Sequence, residues 1–120
     1  GAAAMISVTE NEERADLVRG ADIFITQLEQ PMEAAMRGLE IARDAGVTTI
    51  LNPAPAADLP DGMLALCDYV TPNETETEAL TGHAVETADE AARACVALQD
   101  LGVATPIITL GGRGAVLAGP

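Results

Sequence analysis

Apolar and polar positions change their spacing several times along the chain, and each change marks an element. Residues 22–28 hold Ile23, Phe24, Ile25 and Leu28 with only short polar interruptions, which predicts a buried strand. Pro31 then opens a segment in which Met32, Ala35, Met36, Leu39 and Ala42 recur at steps of three and four. That spacing predicts a helix to about Ala45 with one apolar face. Glu33 and Arg37 pair at i,i+4 on its other side. Gly46 ends the helix, and the run Val47-Thr48-Thr49-Ile50-Leu51, β-branched up to its last residue, predicts the next strand. A strand–helix–strand unit of this kind demands a right-handed parallel crossover.

The alternation extends in both directions. Upstream, Thr9 is placed to cap a polar helix over 11–19, with Glu12 as the third-position partner of a capping box. Downstream, a Pro- and Ala-rich loop covers 52–59, a short helix is expected near 61–66, and a strand over 69–71. Helices are predicted from Asn73 to about Leu80, stopped by Gly82, and from Ala88 to about Leu101, stopped by Gly102. Ala91, Cys95 and Leu98 form the inward face of the second. Strands follow at 107–110 and 115–117. Regular alternation of strands and helices predicts an α/β layered fold with a mostly parallel sheet. No repeat, low-complexity tract or interdomain linker interrupts it. Both ends read as cut. The chain opens on Gly1-Ala2-Ala3-Ala4 without a starting element and stops just after an expected strand, so the middle of a larger protein is expected.

Composition narrows the partners. Hydrophobic content of 48% is ample for a core, while aromatic content of 2% makes that core aliphatic. The net charge of −13 argues against a nucleic-acid or anionic-membrane surface, because both need positive charge. All six basic residues are arginines, so no lysine nucleophile or phosphate-clamping lysine is available. No apolar run reaches the ~20 residues of a membrane span, and no signal peptide is evident. A cytoplasmic protein is expected. Cys67 and Cys95 lie inside apolar segments, where buried reduced thiols are the ordinary reading.

The most informative run is Asp68 to Glu78. A short apolar segment ends at Thr71, Pro72 suits a helix start, and Asn73, Glu74, Glu76 and Glu78 follow within six residues. A strand that runs into a helix start is where α/β proteins bind anions. Stacked acids there make sense if a divalent metal sits between them and a phosphate. Asn73 and Glu76, three apart, share one helix face. They equally suit helix capping and the helix dipole. Glu29 stands at the carboxyl end of a predicted strand, where ligands bind in open α/β sheets, or serves as a first-turn acid. Gly111, Gly112 and Gly114 follow another strand and suit either a tight turn or close approach of a ligand to the backbone. His83, the single histidine, reads as an ordinary exposed side chain.

Three stretches in order resemble ribokinase and its relatives in the phosphofructokinase-B family of sugar kinases. Thr71-Pro72-Asn73-Glu74-Thr75-Glu76 looks like the family's Asn-x-x-Glu motif. Asn52-Pro53-Ala54-Pro55-Ala56 resembles its Asn-Pro-Ala-Pro-Ala loop. Ile108-Thr109-Leu110-Gly111-Gly112-Arg113-Gly114 resembles its nucleotide-side Thr-Leu-Gly-x-x-Gly turn. The resemblance runs from about Gly20 to Ala118. It implies a three-layer α/β/α, ribokinase-like fold, incomplete at both ends, with residues 1–120 as the central segment of one domain. It implies transfer of a phosphoryl group from ATP to a sugar hydroxyl, ribose first, with Mg²⁺ and a monovalent cation such as K⁺. A homodimer of the parent enzyme is possible.

By the same resemblance, Asn73, Thr109, Gly111 and Gly114 bind the nucleotide, with Arg113 less securely placed. Glu76 acts on the metal through water, and Glu29 holds sugar hydroxyls. No catalytic residue is assigned within this chain. The family's Gly-Ala-Gly-Asp motif, with its anion hole and general-base Asp, is expected downstream of Pro120. Ala3 stands where many ribokinases carry Asn in a Gly-Ala-Asn-Ala stretch, so that polar contact is in doubt. The alternatives are a kinase of the same family acting on a nucleoside or keto-sugar acid, and a non-catalytic nucleotide- or sugar-binding module. Absence of the Gly-Ala-Gly-Asp motif from the parent gene would favour the module.

Overall fold

A computed structural model of the chain describes residues 3–4, 19–28 and 31–119. Among the described residues six strands form one sheet in the order of the sequence: β1 (Ala3–Ala4), β2 (Ile23–Gln27), β3 (Thr48–Asn52), β4 (Tyr69–Val70), β5 (Thr105–Thr109) and β6 (Ala115–Leu117). β1 to β5 are parallel, and β6 turns back antiparallel on β5. Helix α1 (Met32–Asp44) links β2 to β3, while α2 (Glu74–Thr81) and α3 (Ala88–Asp100) link β4 to β5. The expected α/β fold with a mostly parallel sheet is therefore what the chain forms. The expected helix over 11–19 and its Thr9 cap lie outside the described residues, apart from Arg19.

Monotonic strand order has a geometric consequence. Right-handed crossovers that step the same way from β2 to β5 put the connections between those strands on the same face of the sheet. Burial alternates accordingly. Phe24, Thr26, Thr49, Leu51, Val70 and Ile108 point under the helices and are fully buried. In the next register row, Ile25, Ile50, Tyr69 and Thr105 lie opposite one another and are only half-buried. Helix α1 rests on β2 and β3, and α3 on β5 and β6. The described helices thus supply one outer layer; a second is not among the described residues.

Local chemistry sets the element ends. α3 starts with a capping box in which Thr87 accepts from the Glu90 N–H and Glu90 accepts from the Thr87 N–H. The Thr87–Glu90 spacing is a capping-box signature that the periodicity reading passed over. Gly82 closes α2 in the left-handed region at φ 77°, which favours glycine. The expected short helix over 61–66 is only a 3₁₀ turn at Leu64–Leu66.

β5 begins two residues earlier than its apolar run suggests, and Pro106 sits inside it. Thr105 donates its N–H to the Asp68 carbonyl on the β4 side, so the next residue faces β6. The β6 ladder ends there, at the Ile107–Leu117 pair, and a missing N–H costs little. The core is aliphatic apart from Phe24, as the composition requires.

An interaction at the opposite, amino end of the sheet was not legible from the sequence. Asp68 accepts from the Thr49 N–H at 2.9 Å, and its other oxygen meets Arg43 at 2.9 Å. The fully buried Thr49 hydroxyl donates to the Leu66 carbonyl at 2.6 Å. These bonds tie α1, β3 and the start of β4 together. The Asp68 and Arg43 charges also bear on the adjacent Cys67. Burial first, then the neighbouring Asp68 charge, pushes its thiol up from 9.0 to about 12, with Arg43 opposing. Burial also raises the Cys95 thiol. Both are free thiols, as expected.

Candidate functional site

Parallel strands place their carboxyl ends along one edge, and the candidate residues follow those ends. Gln27 and Asn52 are register partners at the ends of β2 and β3. β4 leads through Pro72 into Asn73 at the start of α2, and β5 leads through Leu110 into Gly111. Because β4 and β5 are neighbours, the last two turns are brought side by side. The Thr109 N–H donates to the Pro72 carbonyl at 2.9 Å, joining them directly.

Asn73 is the cap of α2. Its side chain accepts from the Glu76 N–H at 2.8 Å, and Glu76 Oε1 accepts from the Asn73 N–H at 3.0 Å. The pair forms a reciprocal capping box, so two donors otherwise orphaned at the helix start are satisfied. Thr77 secures the same turn by donating its hydroxyl to the Asn73 carbonyl at 2.7 Å. Glu76 is held nearly out of solvent, at 7% exposure, while Asn73 is exposed. Oε2 of Glu76 makes no hydrogen bond to the described residues. The capping reading of this pair is thus realised in the structure, and it leaves one carboxylate oxygen uncommitted.

The 111–114 turn has a different character. Gly111 starts a 3₁₀ turn over Gly111–Arg113, and Gly111 and Gly114 have φ of 61° and 95°. Those angles strain any residue with a Cβ. Around Gly111, Gly112 and Gly114 the space where a Cβ would sit is open, with no heavy atom within 4 Å. Glycine is therefore demanded here by the backbone, and it also leaves an uncrowded shelf. Arg113 leans across to α2, with Glu74 at 3.1 Å and the Glu86 carbonyl at 2.9 Å. Thr109 is exposed at the same edge.

Asn73, Glu76, Thr109, Gly111 and Gly114 are thus drawn together. Glu29 lies outside the described residues. A shallow concavity of about 390 Å³ between the 57–62 loop and the ends of α2 and α3 collects none of these residues. Among the described residues, no cluster of three or more His, Cys, Asp or Glu side chains could by itself cage a metal ion. His83 is exposed, as expected, and its N–H donates to the Thr81 hydroxyl.

This arrangement belongs to a defined class. The family model described as "pfkB family carbohydrate kinase" matches residues 1–119, and the chain belongs to that family. Two curated relatives show how near the likeness is. The chain is 47% identical over 96 residues to the ribokinase of Haemophilus influenzae, covering 78% of this chain and 31% of that protein. It is 41% identical over 122 residues to the bifunctional ribokinase/ribose-5-phosphate isomerase A of Fructilactobacillus sanfranciscensis, covering 100% of this chain and 22% of that protein. Among solved structures, the Arabidopsis thaliana ribokinase complexed with ribose and ATP superposes with a TM-score of 0.85 at 30% identity. That match covers 89% of this chain and 35% of the other. The chain therefore spans about a third or less of the length of these relatives.

Proposed function

We propose that these residues are the central segment of a ribokinase-type domain whose parent enzyme transfers the γ-phosphoryl group of ATP to a hydroxyl of ribose. The observation that carries the reading is the junction of two turns at the carboxyl edge. The α2 start, with Asn73 and Glu76, lies against the open glycine turn after Thr109. This pairing occurs in a chain that belongs to a carbohydrate-kinase family.

In this reading the 109–114 turn offers backbone and open space to the nucleotide, and the α2 terminus faces its phosphates. Residues present here fit Mg²⁺ through water rather than by direct capture. Glu76 has one oxygen with no hydrogen bond among the described residues, and Mg²⁺ characteristically keeps several waters and binds through few carboxylates plus substrate phosphates. Bound Mg²⁺ would neutralise charge on the transferring phosphoryl group. Glu76 would hold a metal-bound water, while Asn73 would fix the carboxylate through the capping box. Glu29 would accept hydrogen bonds from sugar hydroxyls, for which a carboxylate is suited. The general base and the anion hole would come from outside this chain. A requirement for K⁺, a parent homodimer and a cytoplasmic location complete the proposal. No described helix is long and apolar enough to cross a membrane.

The test is the full-length protein with ATP and ribose over a Mg²⁺ titration, with ribose phosphate as the product detected. Turnover is expected to need ATP, and ribose to outcompete nucleosides and keto-sugar acids. The variant Glu76→Gln separates the metal role from the cap. Glutamine's carbonyl can still accept the Asn73 N–H, so the capping box survives. Losing the charge is expected to lower kcat on the order of 10²-fold and to shift the Mg²⁺ dependence upward. An unchanged rate and metal response would leave Glu76 as a helix cap only.

A further inference from the structure

We propose that Arg113 is a positioning residue that clamps the glycine turn onto the start of α2 and so holds the nucleotide shelf in shape. The inference rests on the sugar-kinase reading for its ligand, but its geometry stands alone. Residues 111–114 are Gly-Gly-Arg-Gly, so Arg113 is the only side chain in the turn able to tie it down. Backbone bonds from the Arg113 N–H to the Leu110 carbonyl, the Gly114 N–H to the Gly111 carbonyl and the Leu110 N–H to the Gly114 carbonyl close the turn on itself. Glycines lose the most conformational freedom on ordering, and a side-chain restraint is what holds such a turn against its neighbours.

Arg113 supplies that restraint twice. Its Nη2 donates to Glu74 Oε2 at 3.1 Å, and its Nη1 donates to the Glu86 carbonyl at 2.9 Å. Glu74 is in the first turn of α2, directly after the Asn73 cap, and Glu86 lies just before the Thr87 cap of α3. One guanidinium thus joins its turn to a helix start 39 residues away in sequence and to an interhelix loop 27 residues away. The planar fork of arginine suits two divergent acceptors, whereas a lysine ammonium is a single point charge.

The pair is solvent-exposed, at 55% for Arg113 and 39% for Glu74, so its effect on global stability is small. Its effect falls on the relative position of the two turns. The backbone bond from Thr109 to Pro72 hinges them at one end, and Arg113 closes the other. In this role Arg113 faces α2 and α3 rather than the ligand, and acts on the nucleotide through the turn.

The experiment uses the full-length protein with Arg113→Ala, Arg113→Lys, Glu74→Gln and the Arg113→Ala/Glu74→Gln double variant. In the nucleotide-free protein, amide exchange at 111–114 is expected to accelerate in Arg113→Ala while the β2 amides stay unchanged. KM for ATP is expected to rise about fivefold, the scale of one exposed charged contact, with kcat changed less than about twofold. Glu74→Gln is expected to reproduce part of that rise and to add little in the double variant. Lysine should rescue only partly. Unchanged exchange at the turn overturns the clamp whatever the protein's activity. A fall in kcat at unchanged KM overturns the assignment to nucleotide positioning. Absence of any ATP-dependent transfer by the unsubstituted protein defeats the kinase reading, and with it the nucleotide part of the role. The amide exchange still decides the clamp.

Discussion

Gly38→Ala sets two known effects against each other, and the structure says which wins. Gly38 is buried in the middle of α1, where glycine is the poorest helix former after proline. Alanine would gain about 1 kcal/mol in helix propensity. Its Cβ, however, would lie 2.4 Å from Phe24 Cζ, and 3.1 and 3.2 Å from the two Cε atoms. Carbon atoms prefer about 3.5–4.0 Å, so the ring tip would have to retreat by about 1 Å. Phe24 has no exposed surface and is part of the central core cluster, so the ring has no solvent side to move into. Overpacking of this kind typically costs about 1–3 kcal/mol. A steric overlap with three ring atoms argues for the upper half of that range. The net expectation is a loss of about 1–2 kcal/mol, or roughly 4–12 °C in Tm for a domain of this size. Denaturation followed by far-UV circular dichroism suits a chain with no tryptophan. Phe24→Leu supplies the control. It destabilises alone, but it removes the ring tip, so in combination Gly38→Ala should cost about 1 kcal/mol less than it does singly. If Gly38→Ala raises Tm, the helix term outweighs the clash and the packing argument is refuted.

Other outcomes follow from the caps and the buried thiol. Asn73→Ala removes the side-chain acceptor of the α2 capping box and is expected to cost about 1 kcal/mol by denaturant titration, whatever ligand the site takes. A change within error would mean that Thr77 alone secures the turn. Cys67 gives stability a pH dependence. Below its ordinary value of 9.0 the thiol is neutral in both folded and unfolded chains. Between 9.0 and about 12 the unfolded chain ionises while the folded one does not, so stability falls as pH rises through that window. Stability curves of the protein and its Cys67→Ala variant should therefore converge with rising pH, and parallel curves would refute the shift.

Local signals carried most of the fold. The apolar face of α1, the β-branched strands and the glycine stops are short-range properties, and α/β alternation turns them into a parallel sheet through the handedness of crossovers. The two candidate turns were legible for a related reason. In such sheets ligands sit beyond the carboxyl ends of strands, and Asn73, Glu76, Thr109 and Gly111 follow those ends in the chain.

What the sequence could not decide was every relation between residues far apart along it. Periodicity reports which side of an element is apolar, not what lies opposite. The contact of Arg113 with Glu74, the grip of Asp68 on Thr49 and Arg43, and the fit of Gly38 against Phe24 all span elements. So does the burial of just one sheet face by the described helices. Hydrogen bonds and van der Waals contacts act over a few ångströms, so such partners exist only once the topology has brought their backbones together. Even at Asn73 and Glu76, where spacing allowed both a cap and a ligand, it took the folded turn to show the cap formed with one Glu76 oxygen left over.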